Sequence, residues 1–420
     1  MHRLCILHPM DPRGGKVGGI ETHVRSLLSH LPMDMSVLVV GIDEIGDSKI
    51  GRLRQLRLRE RVIDFLPVVC VEPSAVNAVA KHLHRSLTLR FALGALRYLG
   101  AIRAGIGEGP SSCDYQRLEL AILPKLLRRP ASLMLHVEGA KTRREDSLLQ
   151  RYPRLAAFTE RAALNWADHI FCVSPAILDR ARAQGAAVAA KAEFLTVSVD
   201  TNIFAPRPFD CSDGVYRILY AGRLEAAKNP ALMFKTIAKL GELLPGALEF
   251  HYAGGSEPSC FPEFGAIAHL TKRHGVLGAG ELANLVARCH ASILTSHFEG
   301  MPCFLLETLA VGRPIGAVRL AHLDAIIRPG ISGMMVEACT SPAQTAEALA
   351  AALKQLWEDI RAGRLDHRRI GRVVQPYTVE RQMHHLFARH RELGGIRRLP
   401  ASQRLCEAVA SAMTCSKSRS

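Results

Sequence analysis

From His290 to Pro314 the sequence allows few folds. An apolar run, His290 to Ser296, reads as a buried strand; it ends in a turn with Gly300, and Pro302 suits the first turn of a helix that Gly312 stops. A strand, a tight turn and a helix start in so few residues belong to a parallel sheet. The first N–H groups of such a helix have no partner within it, and the positive end of its dipole faces the turn, so the place suits an anion such as a diphosphate. Glu299 on the turn and Glu307 about a turn and a half into the helix stand at the two edges of that place. Glu299 is positioned to face a reacting sugar, and Glu307 to accept hydrogen bonds from two vicinal hydroxyls. Taken alone, two glutamates at this spacing also fit an ordinary amphipathic helix.

The rest of the second half repeats the unit. Tyr216 to Ala221, Leu248 to Ala253, His274 to Leu277, His290 to Ser296, Pro314 to Val318 and Gly333 to Glu337 are short apolar runs separated by helical stretches, the pattern of a doubly wound parallel sheet. After the first run come Gly222-Arg223-Leu224 and Lys228-Asn229-Pro230, with Asn229 a fitting N-cap and Pro230 at the first helical position. Arg223 and Lys228 flank one turn, as a departing diphosphate requires. Ala253-Gly254-Gly255 is a second strand-to-glycine turn.

In the first half, strands are expected at Arg3 to His8, Met35 to Ile42, Val62 to Val71, Ser132 to Gly139 and Ala167 to Ser174. The first leads into a loop with four glycines in six residues, Gly14 to Gly19, and then a helix marked by Ile20, Val24, Leu27 and Leu28. Arg52, Arg54, Arg57, Arg59 and Arg61 alternate with leucines; the run reads as a solvated helical face or as a patch for anionic lipid headgroups. Ala75 to Ala104 reads as a long basic, mostly helical region that either covers the sheet or lies on a membrane. From Leu399 a basic tail is expected to fray.

Spelled Phe-Glu-Gly-Met-Pro, four residues, Glu, the central stretch resembles the signature of retaining glycosyltransferases of family four, which have the two-domain GT-B architecture. Gly-Arg-Leu, four residues, Asn-Pro resembles that family's diphosphate loop, and Gly18-Gly19-Ile20-Glu21-Thr22-His23-Val24 its N-terminal loop. The resemblance implies an α/β fold of two Rossmann-like doubly wound domains facing across a cleft: 1–195 on the acceptor side, 200–378 binding the nucleotide sugar, a helix over 379–396 returning to the first domain, and a tail over 397–420. It implies that Glu299, Arg223, Lys228 and His136 carry the chemistry. Gly18, Gly19, Gly222, Gly254, Gly300, Met301, Pro302, Cys303, Phe304 and Glu307 would bind the donor. Val197-Ser198 departs from the Asn-Gly usual in the family, which leaves that turn's part open.

The expected reaction moves a sugar, with retention, from a nucleoside-diphosphate sugar to a saccharide, lipid-linked or small-molecule acceptor in envelope polysaccharide or glycoconjugate synthesis. No cofactor is implied, and no Asp-x-Asp motif at a strand end calls for a metal. Two other readings share these features: a sugar-nucleotide epimerase of the same architecture, and a non-catalytic polyanion-binding protein.

Composition narrows the setting. With 420 residues, 48% of them hydrophobic, the chain can fill two cores. Eleven scattered cysteines without a Cys-x-x-Cys pair suit reduced thiols rather than disulfides or zinc. No run of eighteen apolar residues occurs, and Leu4 to Leu7 is too short for a signal peptide, so a cytoplasmic protein is expected. The net charge of +15 draws polyanions; without a nucleic-acid motif, the inner face of an anionic membrane is the expected contact rather than DNA or RNA.

Overall fold

A computed structural model of the chain describes residues 1–16, 18–58, 61–76, 86–136 and 153–395. The basic tail over 397–420, the expected strand residues Val137 to Gly139, and Arg59, His82, His84 and Arg85 lie outside them.

Two sheets form. The first is built from β1 (His2–Leu7), β2 (Met35–Asp43), β3 (Arg54–Leu58), β4 (Arg61–Cys70), β5 (Ser111–Tyr115), β6 (Ala131–Leu135), β7 (His169–Cys172) and β8 (Ala192–Phe194). The second has β9 (Tyr216–Ala221), β10 (Leu248–Ala253), β11 (Thr271–Arg273), β12 (Ala291–Leu294), β13 (Ile315–Val318) and β14 (Gly333–Val336). Their orders are β3-β4-β2-β1-β5-β6-β7-β8 and β11-β10-β9-β12-β13-β14. Every pairing is parallel except the β3–β4 hairpin. Each sheet reverses its winding once, between β1 and β5 and between β9 and β12. At such switch points the loops diverge and leave a crevice at the carboxyl ends of the strands, where ligands bind in open α/β sheets.

Each sheet has its own core. The first runs from Leu4 to Leu195 and resumes with Val379, Met383, Leu386 and Phe387; the second runs from Val197 to Val374. The chain thus crosses between the cores twice, and at the crossing Val199 bridges Thr378. The last helix, Val379–Gly395, lays its apolar stripe on β5 and β1. Its His390, fully buried, bonds Ser112 Oγ through Nδ1 at 2.9 Å and Ser132 Oγ through Nε2 at 3.2 Å, and stands 3.8 Å from Asp114.

The structure departs from the sequence reading at several places. Within the arginine run Arg54 and Arg57 lie not on a helical face but on the edge strand β3, and Arg61 opens β4; on β3 Leu56 is buried while Gln55 and Arg57 are exposed, the period of two that alternation imposes. Arg54 and Arg57, three apart on a strand, therefore do not share one surface, and Arg54 is tied to Asp47 at 3.0 Å. No strand forms at His274 to Leu277; β11 lies just before it, in a short polar edge that carries no apolar signal. Strand β5 was not expected at all. Ala75 to Ala104 resolves, within the described residues, into helices Pro73–Val76, Leu87–Arg97 and Leu99–Ile106. Pro302 is the N-cap of helix Cys303–Ala310 rather than part of its first turn.

Candidate active site

The loops after β9 and β12 meet at the second switch point. Asn229, in a left-handed conformation with φ 50°, caps helix Pro230–Leu243 by accepting from Leu232 N at 3.3 Å. Ahead of it Lys228 closes a short 3-10 turn, which the β12 end fastens: Thr295 Oγ1 donates to the carbonyls of Lys228 and Asn229 at 2.9 and 3.1 Å, and His297 N to that of Ala227 at 2.9 Å. So held, Lys228 Nζ donates to Glu299 Oε1 at 2.5 Å, and Ser296 Oγ donates to the same oxygen at 2.6 Å. Glu299 is buried on the turn. Arg223, exposed on the neighbouring loop, pairs with Glu225 at 2.7 Å. Gly222 and Gly254 lie backbone against backbone beside it.

Helix Cys303–Ala310 starts with no side chain capping it, so its first N–H groups point from Cys303 and Phe304 into the same space. Met301 and Phe304 are buried under the turn, the Phe304 ring edge-on to Tyr220. Glu307 is half-buried one turn along, and burial pushes its carboxyl up to about 7. Burial likewise pushes the Cys303 thiol far up, with the Glu307 charge adding to it, so it is un-ionised.

The first domain supplies the facing wall. His136 follows β6 directly, its Nε2 3.0 Å from Gln116 Oε1; burial, then the nearby His23 and His8, lower it to about 3, so the ring is neutral. Gly300 is where the Glu299 turn packs on the first domain. A side chain there would begin 2.9 Å from the His136 carbonyl oxygen and 2.9 Å from Val173 Cγ2, so the turn carrying Glu299 nests on the ends of β6 and β7 only because residue 300 has none. The Gly18–Gly19 loop reaches across as well: Cys303 Sγ stands 3.8 Å from the Gly19 carbonyl, and Arg223 lies 3.9 Å from where a Gly18 side chain would start. The residues singled out in the sequence thus surround one cleft, Gly254 at its edge behind Gly222.

Four residues that sequence reading gave no part join them. His8 follows β1, Arg117 follows β5, and Lys16 and Glu21 stand on either side of the Gly18–Gly19 pair; Glu21 Oε1 lies 3.1 Å from His8 Nε2, 3.0 Å from Lys16 Nζ and 3.9 Å from Arg117. Burial lowers His8 to about 4 and Lys16 to about 8. Burial would raise Glu21, but the His8 hydrogen bond and the Lys16 charge hold it far below the usual carboxylate range. His23, two residues on, is buried with both ring nitrogens unpartnered, its ring 6.3 Å from that of His136. The available signal was Glu21 and His23 standing on the apolar face of a helix, where polar groups need partners.

Residues 215–359 match the family model of the glycosyl transferases group 1. Over that stretch the chain is similar to that family. Among curated relatives, it is 25% identical to a D-inositol 3-phosphate glycosyltransferase of Actinosynnema mirum over 203 residues, 44% of this chain and 49% of that one. The enzyme of the same name from Catenulispora acidiphila is 26% identical over 234 residues, 50% and 54% of the two chains. The chain thus spans about half the length of the curated relatives it matches. Among solved structures, sucrose-phosphate synthase from Thermosynechococcus elongatus superposes with a TM-score of 0.74 over 94% of this chain and 99% of that one, at 16% identity. Anabaena HepE in complex with UDP-glucose gives 0.65 over 92% and 98%, at 14% identity. The two Rossmann-like domains are therefore those of a GT-B fold.

Proposed function

We propose that the protein transfers a sugar, with retention, from a nucleoside-diphosphate sugar to a saccharide or lipid-linked acceptor in envelope polysaccharide or glycoconjugate synthesis. The observation that carries this reading is the convergence of Arg223, Lys228 and the uncapped start of helix Cys303–Ala310 at one switch point, with His136 and the Gly18–Gly19 loop opposite. Departure of the diphosphate leaves negative charge on its β-phosphate and positive charge on the anomeric carbon. Arg223, Lys228 and the amides of Cys303 and Phe304 stabilise the first, each well-placed donor contributing about 3 kcal/mol. Glu299 and neutral His136 hold sugar hydroxyls, and Glu307 the ribose. The carbon–oxygen bond to the diphosphate breaks, the acceptor oxygen bonds to the anomeric carbon from the same face, and its proton leaves with the phosphate. Release of nucleoside diphosphate from a panel of nucleotide sugars, UDP-glucose first, tests it. Release that depends on acceptor is expected; interconversion of donors without acceptor would replace transfer by epimerisation.

The same reading sets the acceptor at the inner face of an anionic membrane. No described helix is long and apolar enough to span one, so contact would be peripheral. With Arg54 and Arg57 on an edge strand rather than on one helical face, the support shifts to helix Leu87–Arg97, where Leu93 and Leu96 stand exposed beside Arg90 and Arg97. Co-sedimentation should show preference for anionic over neutral vesicles, lost at high salt and in Leu93→Ser/Arg97→Gln; equal binding to both vesicles would make the acceptor a soluble one.

A further inference from the structure

The Gly18–Gly19 loop touches the second domain at Arg223 and Cys303, yet nothing in its own sequence makes it rigid. What fixes it lies beneath. Lys16 Nζ donates to the Pro9 carbonyl at 2.8 Å and to Glu21 Oε1 at 3.0 Å, so one ammonium ties the start of the loop to the helix that ends it. His8, neutral and donating through Nε2 to the same oxygen, anchors that carboxylate to the end of β1. His8, Lys16 and Glu21 are all nearly inaccessible to solvent. A buried ion pair of this kind is a poor way to add stability, since removing two charges from water offsets most of the attraction; what it does supply is one defined geometry.

Gly18 shows what that geometry is for. Its φ of 168° and ψ of 162° are extended backbone that any residue adopts, so conformation does not call for glycine there. Space does: a side chain would start 2.3 Å from Glu21 Oε2. The carboxylate held by Lys16 and His8 fills the place under Gly18, and the backbone rests on it. Arg223 comes within 3.9 Å of the same point, so the second domain meets the loop where the carboxylate supports it.

From this we infer that His8, Lys16 and Glu21 form a staple that sets the Gly18–Gly19 backbone over the β-phosphate end of the donor, and that they are positioning residues for that phosphate without touching it. The inference rests on the cleft's reading as a nucleoside-diphosphate-sugar site. It separates two parts of the donor: base and ribose lie on the second domain, out of the staple's reach, whereas the terminal phosphate meets the loop.

Calorimetry with UDP and GDP against UMP and GMP, on the full chain, tests it. Wild type should bind one diphosphate more tightly than its monophosphate. In Glu21→Gln and in Gly18→Ala, which disturbs the same contact from the other side, that diphosphate should weaken about tenfold, roughly 1.4 kcal/mol, and the monophosphate less than twofold. Lys16→Gln, which keeps a hydrogen-bonding end but no charge, should behave likewise and supplies the measurement if Glu21→Gln does not fold. A purely structural role would lower the melting temperature and change both ligands alike, which would overturn the staple. So would unchanged diphosphate affinity in the folded variants. Wild type that binds neither diphosphate would overturn the reading of the cleft, and the staple with it.

Discussion

Arg223 and Lys228 already have partners: Arg223 is held by Glu225 at 2.7 Å and Lys228 by Glu299 at 2.5 Å. A diphosphate entering between them competes with two carboxylates, and the two pairs differ. Glu299 is buried and shared with Ser296, so its lysine stays in place, whereas the exposed Arg223 is free to swing. Glu225→Gln should therefore tighten nucleoside diphosphate by up to about fivefold, since a surface ion pair is worth up to about 1 kcal/mol; calorimetry reads the change directly. Arg223→Ala and Lys228→Ala should each lower turnover about 100-fold with the melting temperature little changed, the scale of one lost donor to a developing anion. Glu307 gives a pH signature. Its carboxyl titrates near 7 in the fold against 4.5 ordinarily, so the folded chain keeps a proton the unfolded chain has lost, and stability falls as pH rises between those values. Its power to accept from a ribose grows over the upper part of the same range. Wild type should bind nucleoside diphosphate better at pH 8 than at pH 6, while Glu307→Gln should show neither trend; melting curves and calorimetry at the two pH values check both.

Elements were legible in the sequence where hydrophobic pattern and local chemistry agree. Strands β9 and β10 fall where their apolar runs do, and the Asn229-Pro230 start of the following helix is written in its capping residues. Strand β5 was not legible, because Ser111, Ser112 and Asp114 look like a loop until their partners arrive from afar: His2 Nε2 lies 2.9 Å from Ser112 Oγ, and His390 approaches from the last helix. A polar strand is buried only when remote residues satisfy it, and that information is not local. The same holds for the cleft. Glu299, Glu307, Arg223 and Lys228 stood out by spacing, but Glu21 and Lys16 took on meaning only when β1 brought His8 beside them. In the last helix Phe387 is buried against the first sheet, and Phe387→Ala should destabilise the chain by about 3–5 kcal/mol. Thermal unfolding followed by circular dichroism measures it, and the second domain's nucleotide affinity at low temperature should hardly change.

At the scale of the molecule, the turn carrying Glu299 packs at Gly300 on the first domain, where an added side chain would begin 2.9 Å from the His136 carbonyl. Gly300→Val should hold the walls apart: nucleoside diphosphate, bound mainly on the second domain, loses little affinity, while transfer is lost and X-ray scattering shows a larger radius of gyration. The double crossing between cores has another consequence, for the order of events at the ribosome. A chain made from its N-terminus ordinarily folds its first domain first. Here the first sheet is left without Met383, Leu386 and Phe387, and its buried Ser112 and Ser132 without His390, until the final helix has been synthesised. The second core, complete by Val374, has everything it needs earlier. Nascent chains stalled just after Tyr377 has cleared the exit tunnel should protect the later half from protease and leave the earlier half open, so that birth order and folding order run opposite ways.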